Sequence, residues 1–511
     1  MKSILYRFLE SYVRFIPILK GIFPVAIISA AVGVSGQASS TATQAVPRSS
    51  SPVSISIYDR TRSENWQWFA APPQSETYGY LESLLRVGIA QRARNLEWQL
   101  ELAQPSVLAA PDDAVSPISA QGQLGLGATY YAANGNHRYA AAAFLKRGYI
   151  RYHFGENQNF RMGRFEFFEG QEMKPRDPNL AWLQTNRIAQ RLVGNFGFST
   201  AQRSFDGVDG QFGKDSWNLT AMAGRADQGV FNMNGNPELN IDIQYLAFTR
   251  SQFQQHLVWR AFALGYHDGR TGITKTDNRP LAARKADHNN IRIGTYGGDV
   301  ITSFQAAHGR FDLLAWGVLQ NGQWGTLAQA SKAGALEGGY QLLHVASTPW
   351  FRGGYYYGSG DANPSDAKHE TFFQVLPTPW IYAHFPFYNL MNNKDGFVQV
   401  VDRPSRRLEL RGDLHRLQLA SSGDLWYSGG GAYDNNVFGY TGRPSNGHRS
   451  VANVFEITSS WQATKSLNVN LYYGHACGKS TVASIYPTGP NGQFGYGELI
   501  YRWGKTLHFS H

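Results

Sequence analysis

The sequence predicts an all-β fold, a transmembrane antiparallel β-barrel of about 18 strands with short periplasmic turns and long extracellular loops. Three observations predict it. Segments alternate apolar and polar residues at period two, their connections are alternately short and long, and a basic, then apolar, then small-residue leader precedes them. Composition agrees: charged residues make up only 16% of the chain, against about 25% in soluble domains, while aromatics reach 14% and glycines number 54. Half of every barrel strand must be apolar for lipid, and small polar residues fill the turns and lumen. Mean hydropathy is −0.36, and no later segment holds the roughly 20 consecutive apolar residues that a bilayer-spanning helix needs.

The elements follow in order. Lys2, Arg7, Arg14 and Lys20 precede the apolar run 22–34 and then Ser35, Gly36, Gln37 and Ala38. An apolar core of about 13 residues is shorter than the roughly 20 of a spanning helix, so residues 1–38 read as a signal peptide cleaved near Ala38, with the outer membrane as destination. The Ser/Thr-rich residues 39–51 read as a flexible leader, and 52–511 as one barrel domain. Segments 57–69 and 78–92 form a first pair. Leu96, Trp98, Leu100 and Leu102 then share one face of a strand whose other face carries Glu97, Gln99 and Glu101. Strands 141–154 and 159–168 meet at the turn 155–158. Further short turns are expected near 93–94, 213–215, 251–255, 308–309, 347–349, 421–423 and 462–466, with long loops at 268–289, 358–403 and 477–492. The closing strand, 493–503, offers Tyr496, Tyr501 and Trp503 to an interface girdle.

One loop departs from the strand pattern. Asp177 suits a helix N-cap, Pro178 the first helical position and Gly194 a stop, so 179–193 read as a short helix. Arg187 and Arg191, four apart, share a face of it. Either that face is simply solvated, or the helix folds toward the mouth and offers paired guanidinium groups to acidic solutes.

The net charge of +10 favours anionic partners. An exported chain without a nucleic-acid motif argues against nucleic acid, and a single cysteine, Cys477, excludes an internal disulfide framework and a structural zinc cluster. The stretch 474–480 has three residues between its glycines where a phosphate loop needs four, and His369-Glu370 has Phe373 in place of a second zinc-binding histidine. No catalytic residues, metal ligands or cofactor are expected, although a barrel lipase stays an alternative that no motif supports.

Arg147, Tyr149, Arg151 and His153 fall on one strand face, Arg161 follows on the next strand, Arg164 and Glu166 further along mark a register change or a bulge, and Arg407, Glu409 and Arg411 alternate with Leu408 and Leu410. Arginine on the lipid face costs about 2–4 kcal/mol at mid-bilayer, so these rows are expected to face the lumen. There they either bind solute or brace the barrel against interior carboxylates such as Glu97, Glu101, Asp206 and Glu409.

The run Lys146-Arg-Gly-Tyr-Ile-Arg151, then Arg161-Met-Gly-Arg164, Trp182 and Gln202-Arg-Ser-Phe-Asp-Gly-Val208, resembles the core of the alginate export family of outer-membrane barrels over about residues 145–210. The resemblance implies an 18-stranded pore that passes an acidic polysaccharide through an arginine-rich lumen, here drawing on Arg147, Arg151, Arg161, Arg164, Arg187, Arg191, Arg203, Arg407 and Arg411. Arginine suits that task because its planar fork binds carboxylates bidentately and stays charged, and several moderate sites permit release. Two features depart from the pattern: Asp209 follows Val208, and the chain ends Phe509-Ser-His511 rather than on an aromatic residue. The expected partners are an anionic polysaccharide or organic anions and outer-membrane lipid, with docking onto periplasmic export machinery left open. A general porin or uptake channel for small organic acids is the alternative.

Overall fold

The computed structural model describes residues 51–253 and 256–507. The signal peptide, the leader up to residue 50 and the Phe509–His511 end lie outside the described residues, as does part of the expected turn 251–255.

Eighteen antiparallel strands form one closed sheet. They are β1 (Val53–Gln67), β2 (Thr77–Ala93), β3 (Leu96–Leu108), β4 (Phe144–Gly155), β5 (Gln158–Phe165), β6 (Phe205–Lys214), β7 (Trp217–Asp227), β8 (Glu238–Gln252) and β9 (Leu257–Asp268). After them come β10 (Ile291–Ala306), β11 (Gly309–Trp324), β12 (Leu327–Leu342), β13 (Trp350–Gly358), β14 (Asn393–Ser405), β15 (Leu408–Leu419), β16 (Ser450–Gln462), β17 (Leu467–Gly478) and β18 (Asn491–Leu507). Each pairs with the next, and β1 pairs with β18 from Val53–Leu507 to Gln67–Gln493, which leaves no free edge.

The faces are inverted relative to a soluble protein. On β3, Leu100 and Leu102 are 50% and 60% exposed, whereas Glu101 between them is 7% exposed. Ile150, Met162, Leu336, Leu414 and Leu471 are likewise exposed, while Arg60, Arg62 and Glu64 of β1 are buried. Water inside and hydrocarbon outside is the arrangement that makes this pattern stable. Leu100→Arg is therefore expected to cost about 2–4 kcal/mol in a bilayer, read as a lowered urea midpoint of the vesicle-inserted barrel. An unchanged midpoint would mean that this face does not meet lipid.

Several expectations are corrected. The turn between β14 and β15 is Arg406-Arg407, and residues 421–423 lie in the long connection that follows β15. The expected loop 358–403 contains most of β14, whose polar residues Lys394, Asp395, Gln399 and Asp402 blur its alternation. Tyr496 points inward and stacks on Tyr472 with centroids 5.1 Å apart, so only Tyr501 and Trp503 are placed for a girdle.

Helix α1 (Leu126–Ala133) lies in the β3–β4 loop, and α2 (Pro178–Leu183) runs into a π turn over Gln184–Ile188. Asp177 caps α2 by accepting from the backbone N–H of Asn179 and Leu180, at 2.9 and 3.1 Å. The helical stretch stops at Ile188, not Val193, and does not fold toward the long-loop mouth. Because β5 ends at Phe165, the chain turns into the lumen and descends until Asp177 accepts from Ser303 Oγ and Arg310 Nη1, both at 3.1 Å, near the turn end. A second segment, 359–392, packs beside it: Val193 and Leu376 form a parallel bridge, Gly194 N–H donates to Leu376 O at 2.9 Å and Thr378 N–H to Gln190 O at 2.9 Å. Leu180, Leu183, Leu192, Phe372, Phe373 and Leu376 are all fully buried. The apolar core of this barrel is thus the packing of two inserted loops against the inner wall.

Candidate functional site

The lumen wall is built from ion pairs. Register places Glu101 opposite Arg147 and Glu97 opposite Arg151 across β3 and β4. Arg151 Nη1 lies 3.0 Å from Glu97, and Arg147 donates from Nε to Glu166 at 2.8 Å with Glu101 3.8 Å away. A register shift between Glu101 and Leu102 lets the consecutive Lys146 and Arg147 both turn inward, as a bulge does. Lys146 is fully buried, 3.6 Å from Glu166. Burial alone would raise the Glu166 carboxyl, but Arg86, Lys146 and Arg147 around it hold it well below the usual carboxylate range. Arg161 pairs with Asp209, with Nε at 3.1 Å from Oδ1, beneath the Tyr149 ring. Asp209, unexpected in a uniformly cationic wall, is therefore the counterion of Arg161. Arg411 pairs with Asp413 at 2.7 Å and donates to Tyr382 O at 2.9 Å, while Glu409 pairs with Arg403 at 2.9 Å. The bracing reading describes Arg147, Arg151, Arg161 and Arg411, with partly different carboxylates.

Five arginine placements differ from expectation, two of them on or beside the wall strands. Arg164 is three residues from Arg161, so period two puts it on the opposite face, together with the exposed Phe160 and Met162. It joins an outward row, in register across five strand pairs, of Arg164, Asp206, Arg225, Asp242, His267 and Arg292. Arg164 and Asp206 are 2.8 Å apart, as are Arg225 and Asp242. The pairing explains how charges stand outside the barrel at the end of the apolar band. Arg407 belongs to the tight β14–β15 turn, not to the Glu409–Arg411 row.

Arg187, Arg191 and Arg203 lie within the inserted loop and are fully buried, so they hold the loop rather than face solvent. Arg187 Nε sits 3.4 Å from Glu337, and Nη1 donates to Ile381 O. Arg191 donates to Arg187 O and to Tyr382 Oη at 3.0 Å. Arg203 donates to Gly194 O and Leu376 O, each at 3.0 Å, and to Gly431 O. Burial pushes the Arg187 and Arg203 guanidinium groups down to about 10, still charged at neutral pH.

The sequence reading missed Arg60 and Arg62. Arg60 donates to Gly197 O and Ser199 O, each at 2.6 Å, and Arg62 to Phe198 O at 3.0 Å while pairing with Glu82 at 2.8 Å and Glu498 at 2.6 Å. The period-two row Arg60, Arg62, Glu64, Trp66 was the available signal. It lacked contrast because Thr61, Ser63 and Asn65 on the other face are polar too.

Two cavities open on the turn-end half of the lumen. One, of about 310 Å³, is lined by Arg147, Arg151 and Arg161 against Glu166, Glu172 and Asp209, a balanced wall. The other, of about 550 Å³, is lined by Arg403, Arg406 and Arg407 against Glu409 alone. Arg406 and Arg407 form no ion pair among the described residues, so the excess of positive charge sits there.

The model of the family described as alginate export matches residues 145–478, from the start of β4 to the end of β17. The chain belongs to the alginate export family. Among solved structures, this family member is similar to OccAB2 of Acinetobacter baumannii, at 10% identity and TM-score 0.56, over 88% of this chain and 98% of that one. It is also similar to the outer-membrane protein OpdK of Pseudomonas aeruginosa solved with vanillate, at 6% identity and TM-score 0.53, over 89% and 99% of the two chains. At such identities the likeness shows the fold alone. No curated protein matches. Family and fold together make the protein an outer-membrane channel barrel.

Proposed function

We propose that this channel exports an anionic, alginate-like polysaccharide and is anion-selective. One observation carries the reading: the turn-end cavity, on the periplasmic side, presents Arg403, Arg406 and Arg407 against the single carboxylate of Glu409. A solute leaving the periplasm meets that cationic mouth first, and a mouth of one sign raises the local concentration of the opposite sign. Beyond it, each carboxylate of a polyuronate exchanges with a wall carboxylate on Arg147, Arg151 or Arg161. Exchange between paired charges keeps every site moderate, which transport requires. Residues 1–38 serve as the signal peptide, and outer-membrane lipid surrounds the apolar band.

Uptake of small organic acids is the second reading. The cavities favour it, because at about 310 and 550 Å³ they have the size of small-molecule sites. Planar-bilayer recording separates the two. The export reading expects anion over cation selectivity by about fivefold or more and block by oligouronates that tightens with chain length, applied from the turn end. Block by monocarboxylates with no gain from added sugar units would favour uptake, and equal permeability to cations and anions would overturn both.

A further inference from the structure

We propose that a third cavity, at the long-loop end of the barrel, is a binding site for a ring-bearing carboxylate, either a uronate unit of a saccharide or an aromatic acid. It rests on the channel reading and extends it to the extracellular face. The cavity measures about 400 Å³ and is lined by residues from six different connections. Trp68, Phe196, Trp380, Phe387 and Tyr433 supply ring surfaces, and Arg443 supplies charge. Aromatic walls bind flat apolar faces, and the few polar groups among them set orientation.

Arg443 separates this site from a packing defect. It is 4% exposed, yet it forms no ion pair among the described residues. It donates from Nη1 to Ser428 Oγ at 2.6 Å and from Nη2 to Gln121 O at 3.2 Å, its plane lies over the Trp426 ring at 5.3 Å, and Nε has no partner. A buried charge without a counterion is costly, and a carboxylate arriving in the cavity would relieve that cost. Arg191 and Arg203, fully buried and likewise without an ion pair among the described residues, line none of the three cavities described. Asp434 is the one carboxylate in the lining, and its Oδ1 is occupied by the backbone N–H of Asn436 and Val437, at 2.6 and 2.8 Å. Ala132 of α1 and Val437, both exposed, stand at the rim. The backbone at 429–431 approaches closely: Gly430 has φ +60°, and a Cβ there would meet Pro379 at 2.7 Å. The side-chain-free backbone of Gly429 and Gly430 forms part of the cavity lining.

The test is isothermal titration of the detergent-solubilised full-length barrel with digalacturonate, benzoate and, as a neutral control, glucose. Saturable binding of digalacturonate or benzoate but not glucose is expected, and the tighter of the two names the source of the ligand. Arg443→Gln is expected to weaken that binding at least tenfold. Ala132→Trp, on an exposed helix position, is expected to do the same by filling the mouth, and it decides the matter if the arginine variant does not fold. No binding to the wild type, equal binding of glucose, or binding unmoved by Ala132→Trp would overturn the proposal. Oligouronate block in bilayers, recorded on the same preparations, scores the export reading separately: block without saturable binding removes this site and leaves the channel, and binding without block does the reverse.

Discussion

Replacing Arg203 with alanine is expected to loosen the lumen plug and raise single-channel conductance several-fold. The guanidinium joins three carbonyl groups from three places in the chain, Gly194 and Leu376 of the two inserted segments and Gly431 of the loop after β15. Each such bond to a charged donor contributes about 1.5–3 kcal/mol, and removing the donor strands buried acceptors. A total of at least about 4.5 kcal/mol is expected, about two-thousandfold in the equilibrium between packed and open loops. The barrel itself closes through β1 and β18, far from this contact in the pairing, so heat-modifiable gel mobility should persist while amide exchange in 190–204 and 372–378 accelerates. Arg203→Lys keeps the charge and part of the bonding and should fall between. Wild-type conductance with wild-type exchange protection in the alanine variant would show that other contacts, such as Arg60 and Arg62 on the carbonyls of 197–199, hold the plug alone.

The barrel was legible because its two solvents differ so much. Leu96, Leu100 and Leu102 against Glu97 and Glu101 leave one consistent orientation, and the alternation of short and long connections sets the strand direction. The capped start at Asp177 was equally legible, since an Asp-Pro pair carries local chemistry. The helix end was not: a π turn at 184–188 and the burial of Arg187 and Arg191 depend on Glu337, Ile381 and Tyr382, distant in the chain. Arg164 was misplaced because the reading allowed a register change or a bulge after Arg161, whereas the strand pairs without a shift from Arg161 to Arg164 and so keeps the two on opposite faces. Which arginine meets which carboxylate is decided by register, as with Arg161 and Asp209, and one residue of shift at Lys146 changes the outcome. The cationic mouth was hidden because Arg406 and Arg407 mark a tight turn that residues 421–423 imitated.

That mouth is where charge reversal should act most strongly on transport. Arg406→Glu with Arg407→Glu changes the net charge at the turn end by −4 at exposed positions that form no ion pair among the described residues, so folding should be nearly unaffected. Anion selectivity is expected to invert to cation selectivity, and oligouronate block from the turn end to weaken at least tenfold. Both effects should shrink as salt rises above about 0.5 M, where the screening length falls to a few ångströms. The same reversal at Arg147 would behave differently. It would place a third carboxylate against Glu166 and Glu101, both largely buried, and the cost of several kilocalories would appear as lost assembly before any selectivity could be read. Selectivity that survives at the turn yet collapses in a folded Arg151→Glu barrel would move the filter from the mouth to the β3–β4 wall.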